Sequence, residues 1–275
     1  MSKKIETLFI FSFLVLFTLA TLYPALNIIG ISLRTDDAFQ TRSLALWTAE
    51  SSFRSYFTLF LETDFLTWMK NSFLVSFVVT LTGVVLASTS GYALSRFNFM
   101  GRRAVLSSLL MTQMFPATML LLPFFILLAK LKLINSYLGL IIIYSSTALP
   151  FCIWQMKGYY DTIPDALEEA ARIDGCSRFS AFTKVILPVS APALVITALF
   201  SFMASWSEYV VAAIVLQNQG LYTLPLGLKS FQASLATQWG LYAAGAVVVS
   251  IPVTILFISL SRFLVSGLTV GSVKG

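Results

Sequence analysis

The sequence predicts an all-α, polytopic membrane protein with six transmembrane helices. The first observation is composition: of 275 residues, 57% are hydrophobic and only 11% are charged, whereas soluble domains carry about 25% charge. A soluble fold of this size has no interior large enough to hide that much apolar surface. The second is the spacing of the charges, which leaves six charge-free stretches at 7–33, 71–95, 104–129, 133–156, 185–207 and 230–261. Each can cross a hydrocarbon core of about 30 Å, for which a helix needs about 20 residues. The third is their length. Strands of a membrane barrel would be about half as long, and lipid tolerates no unpaired backbone, so the stretches are read as helices.

Taken in order, the first span follows Lys3 and Lys4 as a signal peptide would. Its apolar run is too long for a cleavable segment, so it is expected to be retained. The fifth span is expected to run past Glu208 to about residue 216. Six prolines, at 24, 116, 123, 150, 192 and 252, fall inside spans. Each removes a backbone donor and is expected to bend or interrupt its helix. With the N-terminus on the cytoplasmic side, the inner segments hold eleven Lys and Arg and the outer segments seven. The clearest signal is the inner loop 96–103, with Arg96, Arg102 and Arg103 and no acid. Both termini are therefore expected in the cytoplasm.

Several function classes are excluded. The chain has no His, and Cys152 and Cys176 stand apart, so a His-based catalytic site is impossible and zinc or haem sites have no ligand set. The net charge of +6 is spread along the chain, which gives nucleic-acid binding no footprint. No Gly-x-x-x-x-Gly-Lys-Ser/Thr phosphate loop is present, so ATP is not bound in that manner.

The informative segment lies between the fourth and fifth spans, where 157–188 holds four positive and five acidic residues. Pro164 suits a first helical position, and Asp165, Glu168 and Glu169 suit the positive end of a helix. Gly175 is placed to end that helix in a left-handed conformation. A second short helix is expected from Ser177 to Pro188. Ala166, Ala170 and Ile173 form a stripe on the first helix, with Leu167 and Ala171 beside it. The spacing alone fits two readings: a helix docked in a groove of a cytosolic partner, or an amphipathic helix lying at the headgroups.

Glu169-Ala170-Ala171, three residues, Gly175, nine residues, Val185, one residue and Leu187-Pro188 resemble the EAA signature of permease subunits of binding-protein-dependent ABC importers, with Val185 in place of the usual Ile. The resemblance implies the type I importer transmembrane fold. It divides the chain into a first helix with its outer loop (1–70), a transmembrane domain (71–262) carrying a coupling loop at 158–188, and a cytoplasmic tail (263–275). It implies that Glu168, Glu169, Ala170, Ala171, Asp174, Gly175, Leu187 and Pro188 couple to an ATPase. It also implies a second permease subunit, two cytosolic ATPase subunits that hold ATP and Mg2+, and an extracytoplasmic solute-binding protein. This chain would carry no cofactor and no catalytic residue, and would reside in a bacterial inner membrane.

Trp206-Ser207-Glu208-Tyr209 resembles the Trp-Asn-Glu-Phe stretch of the carbohydrate-uptake branch, with Ser207 departing from Asn. The ending 261–275 looks like the tail of the shorter permease subunit of maltose/maltodextrin importers. By that likeness Trp206, Ser207, Glu208 and Tyr209 are candidates for a sugar path, and Gly220, Leu224, Pro225 and Gly227, in the outer loop 217–238, for contact with the binding protein. Glu208 is the single acid inside a span, and such a residue marks either a pathway or an interhelical bond. The competing class is a secondary transporter or channel subunit that needs no ATPase.

Overall fold

The computed structural model describes residues 3–35, 39, 51–232 and 237–269. Among them every regular element is helical: α1 (Lys3–Ser32), α2 (Arg54–Leu61), α3 (Phe65–Arg96), α4 (Arg102–Gln113), α5 (Leu121–Lys130), α6 (Tyr137–Tyr160), α7 (Ala166–Ile173), α8 (Arg178–Ala181), α9 (Leu187–Val189), α10 (Ala191–Trp206), α11 (Val210–Val215), α12 (Leu224–Lys229) and α13 (Trp239–Thr269). Four of these, α1, α3, α6 and α13, are long and apolar enough to span a membrane unbroken. The other two expected spans are bent pairs: α4 and α5 meet at 97°, and the helical run 178–189 meets α10 at 78°.

The bends have named causes. Between α4 and α5 the chain leaves helical geometry at Pro116 (ψ 131°) and returns through a tight 3-10 turn at Ala117–Leu120. In the fifth span, Pro188 removes one donor and crowds the carbonyl four residues back, and the turn ahead of it widens into a π-turn over Phe182–Ile186. The helix then stops at Ser190 and restarts with Pro192 in its first turn. Prolines 24, 150 and 252 lie inside helices that continue through them. Pro123 likewise lies inside α5, so of the two outcomes expected, bending or interruption, interruption is seen at Pro116 and Pro192.

The expected continuation of the fifth span to residue 216 is also corrected. α10 ends at Trp206, the chain unwinds over Ser207–Tyr209, and α11 is a separate helix. Charge-free counting also underestimated α3, which begins ahead of Lys70 and ends on Arg96. Charged side chains near helix ends reach the interface without ending the helix. α13 runs on to Thr269, past the boundary expected for a tail, and 270–275 lie outside the described residues.

The chain divides into two compact units, Met1–Leu66 with Gly227–Pro252, and Thr67–Leu226 with Val253–Gly275. In the first, α1 exposes its side chains from Ile5 to Leu26 and is buried at its end, over Gly30, Ile31 and Ser32, with Leu33 just beyond it. There Ser32 Oγ and Tyr56 OH share a 2.8 Å hydrogen bond, and the Ser52 N–H donates to Leu33 O. In the second unit two buried clusters lie along α3. One joins Val75 and Val79 to Leu140, Ile143, Tyr144, Val211 and Val215. The other joins Ala87 and Tyr92 to Met156, Tyr160, Phe182 and Ile186. Between them Gly83 lies so close to Ser201 that an added Cβ would collide with the Ser201 Oγ. Hydroxyl bonds such as Thr82 to Ser145 at 3.0 Å cross the same layer. Small residues at close approach, joined by hydroxyls, are how helices hold together where lipid removes the hydrophobic drive.

Candidate functional site

The loop 158–188 folds as two short helices joined by a tight turn, because its residues terminate each helix explicitly. Leu167 N–H donates to Pro164 O, so Pro164 opens the turn and Asp165 caps α7. This is two residues later than Pro164 as a first helical position. Glu168 and Glu169 occupy the first turn and Arg172 the last, matching the helix dipole. Gly175 has φ +88°, and the Cys176 N–H reaches back to Ala171 O at 2.9 Å. That is the left-handed closure the sequence predicts. Ser177 then caps α8 by accepting from the Ser180 N–H.

α7 presents two unlike faces. Ala166, Ala170, Leu167 and Ile173 are exposed, Ile173 at 86% of its surface, and Phe179 on α8 adds an aromatic ring that is 74% exposed. Large exposed apolar groups thus stand beside small ones on this face. Ala171 is instead buried, on a helix packed against α8 and the turn that follows it. Glu169 and Asp174 are exposed, Leu187 packs on the second cluster, and Pro188 is exposed.

Glu168 points inward and is held from α3. Its Oε1 accepts from Arg96 Nε at 2.6 Å, and its Oε2 accepts from Tyr92 OH at 2.7 Å. Arg96 also donates through Nη2 to Ile163 O at 2.7 Å and pairs through Nη1 with Asp165 at 2.9 Å. The Arg96 and Glu168 side chains keep 11% and 16% of their surface. Charge-assisted bonds in such surroundings contribute about 1.5–3 kcal/mol each. One turn away, Asp161 accepts from Ser95 Oγ at 2.7 Å and pairs with Lys157. Burial pushes the Asp161 carboxyl up, but hydrogen bonds from Lys157 and Ser95, with the charges of Lys157 and Arg102, hold it below the usual carboxylate range. Arg102 ties off the last turn of α3 through Leu94 O (2.7 Å), Ser95 O (3.3 Å) and Asn98 Oδ1 (2.8 Å). An open polar pocket of about 370 Å³ lies here, with Asn98, Arg102, Glu169, Arg172 and Arg178 in its lining.

The sequence-predicted path residues sit at the α10–α11 break. Trp206 is 1% exposed and packs on Phe73 and Phe202 at ring distances of 4.7 and 5.2 Å. Ser207 is exposed, and Tyr209 is half-buried against the first cluster. Glu208 accepts from Tyr144 OH at 2.7 Å and from the N–H groups of Val211 (2.9 Å) and Ala212 (3.2 Å). It thus satisfies the donors left free where α11 begins and joins them to α6.

The loop from 217 is fastened to the other end of α3. Asn71 Nδ2 donates to Gly220 O (3.0 Å) and Tyr222 O (2.9 Å), Trp68 Nε1 donates to Gln219 O (3.2 Å), and the Leu224 N–H donates to Ser72 Oγ (2.7 Å). Asn135 Oδ1 accepts from the Gln217 and Asn218 N–H groups. Residues 217–220 are exposed, whereas Leu224 and Gly227 are buried and Pro225 is half-buried. Part of this outer loop, 233–236, lies outside the described residues, as do 36–38 and 40–50 of the outer segment before α2.

Sequence reasoning missed Tyr92, Arg96 and Phe179. The first two lie 76 and 72 residues from Glu168, and no local pattern links them. Arg96 carried one signal, an Arg at the end of a span facing an acid-rich loop.

Residues 79–270 match the family described as the binding-protein-dependent transport system inner membrane component. The chain belongs to this family. It is 33% identical to the maltodextrin transport system permease protein MdxG of Bacillus subtilis (strain 168), covering 100% of this chain and 98% of that protein. It is likewise 33% identical to the sulfoquinovosyl glycerol transport system permease protein SmoH of Agrobacterium fabrum, over 92% of this chain and 89% of that one. In structure it resembles a chain of a bacterial ABC transporter involved in the import of the acidic polysaccharide alginate, with a TM-score of 0.82 at 26% identity, over 95% and 97% of the two chains. The protein is therefore a multi-pass inner-membrane permease subunit of the ABC importer class, whose members work with a second permease, ATPase subunits and a binding protein.

Proposed function

We propose that this chain forms half of the translocation path of an ATP-driven importer of maltodextrin-like oligosaccharides, and that it converts ATPase closure into helix movement through α7. The observation that carries the reading is the two-faced coupling helix. Its exposed face of Ala166, Ala170 and Ile173 suits a cleft on a cytosolic partner, while Glu168 ties its other face to α3. Glu169, Asp174 and the left-handed Gly175 shape the rim of that face, and Leu187 and Pro188 lead from it into the bent fifth span.

Two such partners, each holding ATP and Mg2+, supply the energy, and this chain is a non-catalytic subunit. Eleven inner against seven outer positive charges support placing both termini, and α7 with them, in the cytoplasm. On the opposite side, the exposed tip 217–220, held in place by Asn71 and Asn135, contacts the solute-binding protein. In the alternating-access cycle the bend at Ser190 is the joint between the coupling loop and α10, and the Ser207–Tyr209 break borders the sugar path. The oligosaccharide class is carried over from relatives such as the maltodextrin permease.

The test is reconstitution of this chain with its partner permease, ATPase and binding protein in proteoliposomes. ATP-dependent uptake of labelled maltodextrin, absent without ATP, is expected. Uptake driven by an ion gradient without the ATPase would replace this reading with a secondary transporter.

A further inference from the structure

We propose that Arg96 is the positioning residue of the coupling helix: it locks α7 to the end of α3, so that the two move as one body through the transport cycle. The proposal rests on the coupling role given to α7 above and adds the element to which α7 transmits its load.

The eight residues of α7 are far too few for a helix to hold its own shape or place in water. Its covered face offers one buried apolar side chain, Ala171. A force applied to the exposed face would tilt so short a helix unless something fixes the far side. Arg96 does this with three donor nitrogens on three acceptors: Nε on Glu168, Nη1 on Asp165 and Nη2 on Ile163 O. These acceptors flank and enter the first turn of α7, so the planar guanidinium fixes orientation as well as position. Tyr92 holds the second oxygen of Glu168. Ser95 and Lys157 fasten Asp161 just upstream. Opening this lock would strand a nearly covered guanidinium without its acids, which is more costly than never having made the pair. The lock therefore stays closed while α7 is pushed. Glu168 and Glu169 then divide the work of the acid pair, the first turned to α3 and the second left exposed toward the partner.

The experiment uses the reconstituted full transporter and reads maltodextrin uptake and ATP hydrolysis in the same vesicles. A wild-type assembly with no ATP-driven uptake would overturn the coupling reading itself, and that result is obtained before any variant is compared. Given an active wild type, Arg96→Gln is expected to lower uptake per ATP hydrolysed about tenfold, within the range a broken coupling element produces. Arg96→Lys, which keeps the charge but not the fork, is expected to restore only a small part. An unchanged ratio in Arg96→Gln, whatever the two rates do separately, overturns the proposal. A second arm does not depend on that variant folding. In a Cys152→Ala/Cys176→Ser background, Phe97→Cys beside the end of α3 and Arg172→Cys in α7, which line one pocket and make none of the lock's bonds, are joined by a short bismaleimide. Retention of most uptake after cross-linking is expected, because the two positions never part. Loss of uptake on cross-linking, with the unlinked pair active, overturns it.

Discussion

The two ends of α3 hold two loops by different chemistry. At its start, Trp68, Asn71 and Ser72 grip the backbone of 219–224 with neutral hydrogen bonds, and that loop buries Leu224. At its finish, Tyr92, Ser95 and Arg96 grip acidic side chains and one carbonyl of the coupling loop, and that loop leaves Ile173 and Phe179 open. Backbone bonds fix the path of a chain, and here they leave only the tip 217–220 of the loop's first turn exposed. Side-chain bonds on one face of a helix leave its other face for docking. The first loop is shaped as a fixed wall with a small polar tip, the second as a mounted handle.

That contrast can be broken from the handle side first. Ile173→Glu places a charge at the centre of the proposed docking face. It is expected to weaken ATPase association about 100-fold, the scale of an interface hot spot, read as loss of co-purification in mild detergent with membrane insertion intact. Gly175→Val comes next. A β-branched residue at φ +88° is strained, so the turn that sets α7 against α8 reopens, and uptake is expected to fall about tenfold at an unchanged expression level.

These two positions were legible in the sequence because their signals are local. Gly175 follows a run of helix formers and precedes a capping Ser, and Ile173 completes a stripe with Ala166 and Ala170. Apolar length likewise located the long helices, since α1, α3, α6 and α13 each overlap most of one of the charge-free stretches. The bends at Pro116 and Ser190 were harder to read. Six prolines look alike in sequence: Pro24, Pro150 and Pro252 stand in helices that continue through them, whereas Pro188 and Pro192, two missing donors four residues apart, flank the break at Ser190. Glu208 showed only that an acid lies in a span. Its use, accepting from Tyr144 and the first free N–H groups of α11, depends on a break that charge counting could not show. Arg96 and Glu168 meet only because α3 and α6 are packed side by side, a long-range fact with no local trace.

From the wall side, Asn71→Ala removes two bonds and orphans two carbonyls. It is expected to destabilise the protein by about 2 kcal/mol, seen as a lower melting temperature in detergent, with ATPase co-purification unchanged. A loss of co-purification would erase the distinction between the two ends. The smallest effect belongs to Asp161. Its carboxyl is held below the 3.8 of a free group, so its contribution is complete above that pH and fades as pH falls through the lower folded value. Asp161→Asn is therefore expected to lower the melting temperature by about 1–2 °C at pH 7, and the two proteins are expected to converge as pH drops below 3.8.

The most direct measurement is site-specific photo-cross-linking from position 173 in the assembled transporter in native membranes. An adduct with the ATPase subunit is expected, with a control position on the exposed tip 217–220 giving an adduct with the binding protein instead. Adducts from position 173 with lipid alone, in a preparation where the ATPase is present and active, would contradict the coupling role on which the mechanism stands.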